Sequence, residues 1–129
     1  MIVLDTHALF WWALDPEQLS PEAATEVERM EQQGGFASAI SIWELAIKVK
    51  RGKLELPISV EEFVRRLQRG GVVEVLAVDS ATWLASVALE WDHRDPADRV
   101  IVATALQRQV PLLTKDEAMH AFGGVSCIW

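Results

Sequence analysis

The sequence predicts an α/β fold in which a parallel sheet is covered by helices on both faces. Three observations predict it. Short apolar runs alternate with helix-period segments throughout the 129 residues. Proline and glycine pairs punctuate the segments at Asp15-Pro16, Ser20-Pro21, Gly34-Gly35 and Gly70-Gly71. The run richest in β-branched residues, 72–78, lies between two helical stretches.

In chain order, Ile2-Val3-Leu4 reads as a short buried strand ending at Asp5. Residues 6–14 are almost wholly apolar apart from His7 and suit a buried helix, which Asp15-Pro16 breaks. Ser20 is an N-cap with Pro21 at the first helical position, and Ala23, Val27 and Met30 give that helix one apolar face. After Gly34-Gly35, residues 36–40 form a second strand. Ser41 opens a helix to about Arg51, with Ile42, Leu45, Ala46 and Val49 at helical spacing and Gly52 closing it. Ser59 caps the next helix, faced by Val60, Phe63, Val64 and Leu67. The strand at 72–78 follows, then a helix capped by Asp79 and reaching Trp91. Pro96 begins a helix through Gln107 with Val100, Ile101 and Ala105 inward. A strand at 110–114, a short helix at 116–122 and a peripheral strand at 125–128 complete the chain.

Composition narrows the function classes. Half the residues are hydrophobic and 24% are charged, which is enough apolar material for one core and gives no disordered tract; residues 1–129 read as one domain. The first residues, Met1-Ile2-Val3-Leu4, lack the basic leader of a signal peptide, and the longest apolar run is too short to span a bilayer. The lone Cys127 has no disulfide partner. A reducing cytoplasm without membrane contact is expected. A net charge of −7 argues against simple nucleic-acid coating, where basic surfaces dominate, without excluding an RNA enzyme. The cations are grouped, however: Lys48, Lys50, Arg51 and Lys53 in one run, and Arg65, Arg66 and Arg69 in another. Each group is either a solvated helix face or a phosphate-contact surface.

The acids are placed with more regularity. Asp5 follows the first strand, Glu44 lies in the first turn after the second, Asp95 and Asp98 bracket the helix start at Pro96, and Asp116 follows the 110–114 strand. In a doubly wound sheet these positions share one edge, where sites form. Crowded carboxylates stay ionised when a cation neutralises them. An oxygen-only set without matching His or Cys favours magnesium or manganese over zinc. A structural reading exists for each acid taken singly. Ser41-Ile42-Trp43-Glu44 is a capping box, repeated at Ser59-Val60-Glu61-Glu62, while Asp95 and Asp116 are ordinary N-caps and Asp98 favours the helix dipole. Five such acids on one sheet edge exceed what capping requires.

At these residues the chain resembles the PIN-domain family, specifically its VapC-type toxins. The matching pieces are Ile2-Val3-Leu4-Asp5-Thr6, residues 38–44, residues 93–105 from His93-Arg94-Asp95-Pro96-Ala97-Asp98-Arg99 onward, and Leu112-Leu113-Thr114-Lys115-Asp116. The resemblance implies a three-layer α/β/α sandwich on a five-stranded, mostly parallel sheet. It implies a magnesium- or manganese-dependent endoribonuclease, the toxin of a type II toxin–antitoxin pair. The implied catalytic acids are Asp5, Glu44, Asp98 and Asp116, with Asp5, Asp98, Asp116 and Asp95 as metal ligands and Thr6 and Thr114 in support. A homodimer and a VapB-like antitoxin that inserts a segment near the site are also implied. Ala97 departs from the pattern, being smaller than the apolar residue this subgroup carries there.

Lys48, Lys50, Arg51 and Arg99 are candidate RNA contacts, with Arg99 alternatively pairing with a carboxylate. His7 and His93 lie near the site without partners at ligand spacing, and His120 reads as a surface residue. The six tryptophans suit core or interface positions, and exposed members among Trp11, Trp12 and Trp43 suit antitoxin binding or dimerisation. Two other classes compete. A receiver-type phosphoacceptor switch lacks the acidic pair after the first strand, and a dehalogenase-like phosphatase is excluded by His7 standing two residues after Asp5. A non-catalytic PIN-like binding module remains the alternative to the nuclease.

Overall fold

The computed structural model describes residues Met1–Trp129. In chain order the elements are β1 (Val3–Leu4), α1 (Thr6–Leu14), a 3-10 turn (Pro16–Gln18), α2 (Pro21–Gln33), β2 (Gly35–Ser38), α3 (Ala39–Lys50), α4 (Val60–Gly70), β3 (Val73–Leu76), α5 (Ser80–Ala88), α6 (Pro96–Arg108), β4 (Leu112–Leu113), α7 (Glu117–Phe122) and β5 (Cys127–Ile128). The five strands form one sheet in the order β3-β2-β1-β4-β5, parallel throughout.

Strand alternation divides the apolar residues between two faces. Ile2, Leu4, Ala37 and Leu113 point to one face, where Ala8 and Leu9 of α1, Val27 and Met30 of α2, and Phe63 and Leu67 of α4 cover them. Val3, Phe36 and Leu112 point to the other, under Val100, Ile101 and Ala105 of α6 and Met119 of α7. The result is the three-layer sandwich the sequence predicts. The central strands are buried on both faces, which is why they read as uninterrupted apolar runs. No helix is long and apolar enough to cross a membrane.

Several expectations need correction. β2 ends two residues early, because the Ser38 hydroxyl, not that of Ser41, caps α3 by accepting from the Ile40 N–H at 3.2 Å. Glu44 therefore lies in the second helical turn, and the capping-box reading of residues 41–44 does not hold. β3 is only four residues long, and α5 stops at Ala88 rather than Trp91. None of the six tryptophans is fully buried; Trp43 and Trp83 are exposed.

Two adjacent glycines turn α2 into β2. Gly34 sits at φ 85°, a conformation that disfavours a side chain. Gly35 runs so close to α2 that an added Cβ would lie 2.6 Å from Met30 Sδ and 2.7 Å from its Cγ. Gly35→Ala is expected to overpack this junction and cost about 1–3 kcal/mol of stability, measured by urea unfolding.

Candidate active site

The strand order locates the site. The chain steps outward from β1 through β2 to β3, then returns to β4 on the opposite side of β1. The loops leaving β1 and β4 thus diverge to different layers and open a crevice between their carboxyl ends. Asp5 leaves β1 and Thr114 leaves β4, and the Asp5 N–H donates to the Leu113 carbonyl at 3.1 Å.

A cleft of about 140 Å³ opens there, lined by Asp5, Thr6, His7, Glu44, Lys48, Asp95, Asp98 and Asp116. No hydrophobic residue lines it. All five sequence-predicted acids therefore meet in one place. Capping and site formation prove compatible. Asp5 Oδ1 accepts from the Ala8 N–H at 2.8 Å, Asp95 Oδ1 from the Ala97 N–H at 2.9 Å, and Asp116 Oδ1 from the Ala118 N–H at 2.8 Å. Each cap engages a single oxygen, Oδ1, of its carboxylate.

Two threonines fix the acids. The Thr114 hydroxyl donates to Asp5 Oδ2 and accepts from the Asp116 N–H at 3.0 Å, so one side chain sets two carboxylates across the β1–β4 seam. The Thr6 hydroxyl donates to Glu44 Oε1 at 2.5 Å and shares a contact with Ser41 Oγ at 2.9 Å. Ser41 is thus buried as a partner of Thr6.

His93 acts from outside the cleft. Its Nε2 lies 2.6 Å from Asp98 Oδ2, and its ring stacks on Trp91 with centroids 4.5 Å apart. The spacing from His93 to Asp98 does not look like a metal motif, so sequence reasoning gave it little weight. The recoverable signal was a histidine one residue before the Arg94-Asp95-Pro96 helix start.

Arg99 departs from its expectation as an RNA contact. All five of its N–H donors engage main-chain carbonyls: Nε with Ser86, Nη1 with Trp91 and His93, and Nη2 with Val87 and Leu89. The guanidinium satisfies the orphan carbonyls at the end of α5, ends that helix at Ala88, and holds the loop that carries His93. Of the other cations, Lys48 lines the acidic cleft, Arg51 lines its neighbour, and Lys50 lines neither. Arg65, Arg66 and Arg69 all converge on Glu62.

Burial dominates the electrostatics of the cleft, with the neighbouring acids adding to it. Burial pushes the Asp5 carboxyl above its ordinary range, against the opposing Thr114 and Ala8 hydrogen bonds. Burial, with the charges of Asp95 and Asp116, raises Asp98 to about 6 despite its hydrogen bond from His93. The field reaches Cys127, whose thiol is raised by burial and then by Asp5 and Asp116. No three acidic or imidazole groups stand close enough to close on one ion directly as they are. An oxygen-only set around this volume still fits magnesium or manganese. Such ions keep several waters, each about 30 Å³, and meet carboxylates partly through them.

Two outcomes follow. Arg99→Lys cannot serve five carbonyls and is expected to cost about 2 kcal/mol or more by urea unfolding, with faster proteolysis in residues 86–93. In metal-free buffer Asp98 binds its proton more tightly folded than unfolded, so its contribution to stability falls as pH rises from about 4 to about 6. Asp98→Asn is therefore expected to melt above the wild type at pH 7 in EDTA, by on the order of 2 kcal/mol, with the advantage gone near pH 4. A pH-independent difference would show that Asp98 is not under electrostatic strain.

Comparison with known proteins agrees with this fold. The family model for the PIN domain matches residues 2–125. Ribonuclease VapC22 of Mycobacterium tuberculosis is 31% identical over 121 residues, covering 93% of this chain and 90% of the relative. VapBC2 from Rickettsia felis, solved bound to a DNA fragment from their promoter, matches with a TM-score of 0.68 at 15% identity, over 98% of this chain and 97% of that one. A toxin–antitoxin complex from Klebsiella pneumoniae matches with a TM-score of 0.59 at 20% identity, over 90% and 87% of the two chains. The chain belongs to the PIN-domain family, in its VapC-type branch.

Proposed function

We propose that this protein is a divalent-metal-dependent endoribonuclease and the toxin of a type II toxin–antitoxin pair. The observation that carries the reading is the convergence of Asp5, Glu44, Asp95, Asp98 and Asp116 on one wholly polar cleft at the β1–β4 switch point. The ribonuclease activity named for the VapC22 relative supports the choice of RNA. The toxin–antitoxin neighbour supports a cognate antitoxin, and a homodimer accompanies that expectation.

Asp5, Asp98 and Asp116, with Asp95, are the residues that would hold magnesium or manganese. When bound, the ion supplies a nucleophilic water at neutral pH and stabilises charge on the phosphate and leaving oxygen. Thr114 keeps Asp5 and Asp116 in a fixed relation across the seam. Glu44, oriented by Thr6, receives the proton of the attacking water from the α3 wall. Lys48 offsets the charge of the incoming phosphodiester within a cleft that would otherwise repel it.

Purified protein is expected to cut total RNA with magnesium or manganese and to stop in EDTA. Asp98→Asn and Asp5→Asn are each expected to lower cleavage by more than about 100-fold while keeping the far-UV circular dichroism of the wild type. Full activity in either folded variant would overturn the site assignment. Retained partner binding without any metal-dependent cleavage would favour the non-catalytic binding module.

A further inference from the structure

A second cleft, of about 320 Å³, adjoins the acidic one and shares Glu44, Lys48 and Asp95 with it. Its remaining wall along α3 and the turn beyond is formed by Trp43, Ile47, Arg51 and Lys53. Trp43 is 56% exposed, although an indole is among the most favourable side chains to bury. It belongs to neither apolar cluster and stacks on no other ring. Arg51 and Lys53 form no ion pair, whereas Arg29, Arg65, Arg66 and Arg69 do. In a chain of net charge −7, two unpaired cations thus share one groove with an unpartnered indole.

We propose that this cleft is a subsite for single-stranded nucleic acid, with one base stacked on Trp43 and the flanking phosphates met by Arg51 and Lys53. The inference deepens the nuclease reading and rests on it for the place of cleavage; base stacking itself needs no metal. Aromatic faces accept any base, and cations along the same groove follow the backbone. The shared residues make the two clefts continuous, so a strand lying on Trp43 leads its next phosphodiester towards Lys48 and the acids. An apolar protein segment fits less well, because it would desolvate Arg51 and Lys53, which form no ion pair with the Glu44 and Asp95 of the same groove, and would bring them no charge of its own.

The test compares two fluorescently labelled probes in EDTA by anisotropy: a short oligouridylate and an abasic ribose-phosphate chain of equal length. The wild type is expected to prefer the oligouridylate by about tenfold, a ratio that corresponds to one stacked base. Trp43→Ala should bind both probes alike, at the abasic affinity, and Trp43→Phe should keep most of the preference. Arg51→Gln and Lys53→Gln should weaken both probes equally and flatten the salt dependence by about 0.7 in log–log slope per cation. Equal wild-type affinity for the two probes, or an undiminished preference in Trp43→Ala, would overturn the proposal. So would a change of oligomeric state in Trp43→Ala, by sedimentation, with the base preference intact, since that assigns the face to a second copy of the chain. A wild type that prefers the oligouridylate yet cuts it with neither magnesium nor manganese would support the subsite while sinking the nuclease reading.

Discussion

The Asp5 carboxylate is the constraint to which the rest of the site is fitted. It is only 5% exposed, at the point where the two central strands part. A buried charge of this kind is tolerated only with strong partners. The Thr114 hydroxyl and the Ala8 N–H provide them, one from the adjacent strand's end and one from the helix that Asp5 itself caps. Those two bonds fix the start of α1 against the end of β4. The position of Thr6, and through it of Glu44, follows from the same anchoring.

The surrounding acids are arranged economically. Asp5, Asp95 and Asp116 each begin a helix, so the bond that orders the helix also orients the carboxylate. Helix N-termini favour negative charge, which tempers the repulsion among groups this close. Asp98 is nevertheless raised, first by its burial and then by the charges of Asp95 and Asp116. Positive charge brought into the cleft would favour the ionised form of these acids.

Much of this was legible in the chain itself, and the failures have physical causes. The five acids were found because each follows a strand or starts a helix, and parallel topology gathers such positions on one edge. The register at Ser38 was missed because both Ser38 and Ser41 are good caps; the need of Thr6 for a buried partner at Ser41 decides between them. Arg99 was misread because nothing local reveals that the α5 carbonyls lack donors. Its commitment is visible only once the loop between α5 and α6 is folded back upon it. The tryptophans were placed too deep, since periodicity cannot distinguish a helix face that meets the core from one that meets a groove.

The pairing of β1 with β4 joins Val3 to Leu112 and Leu4 to Leu113. The seam under the acidic cleft thus joins residues far apart in sequence, 109 positions for Asp5 and Thr114. During synthesis, which proceeds from the N-terminus, a nascent chain carries Asp5 and Glu44 long before Thr114 and Asp116 emerge. Such a chain has neither the central seam nor the complete ring of acids. Contacts this distant in sequence also form late and slowly in folding. The gathering of these carboxylates is therefore a property of the folded sheet, since no shorter stretch of the chain contains both sides of the seam.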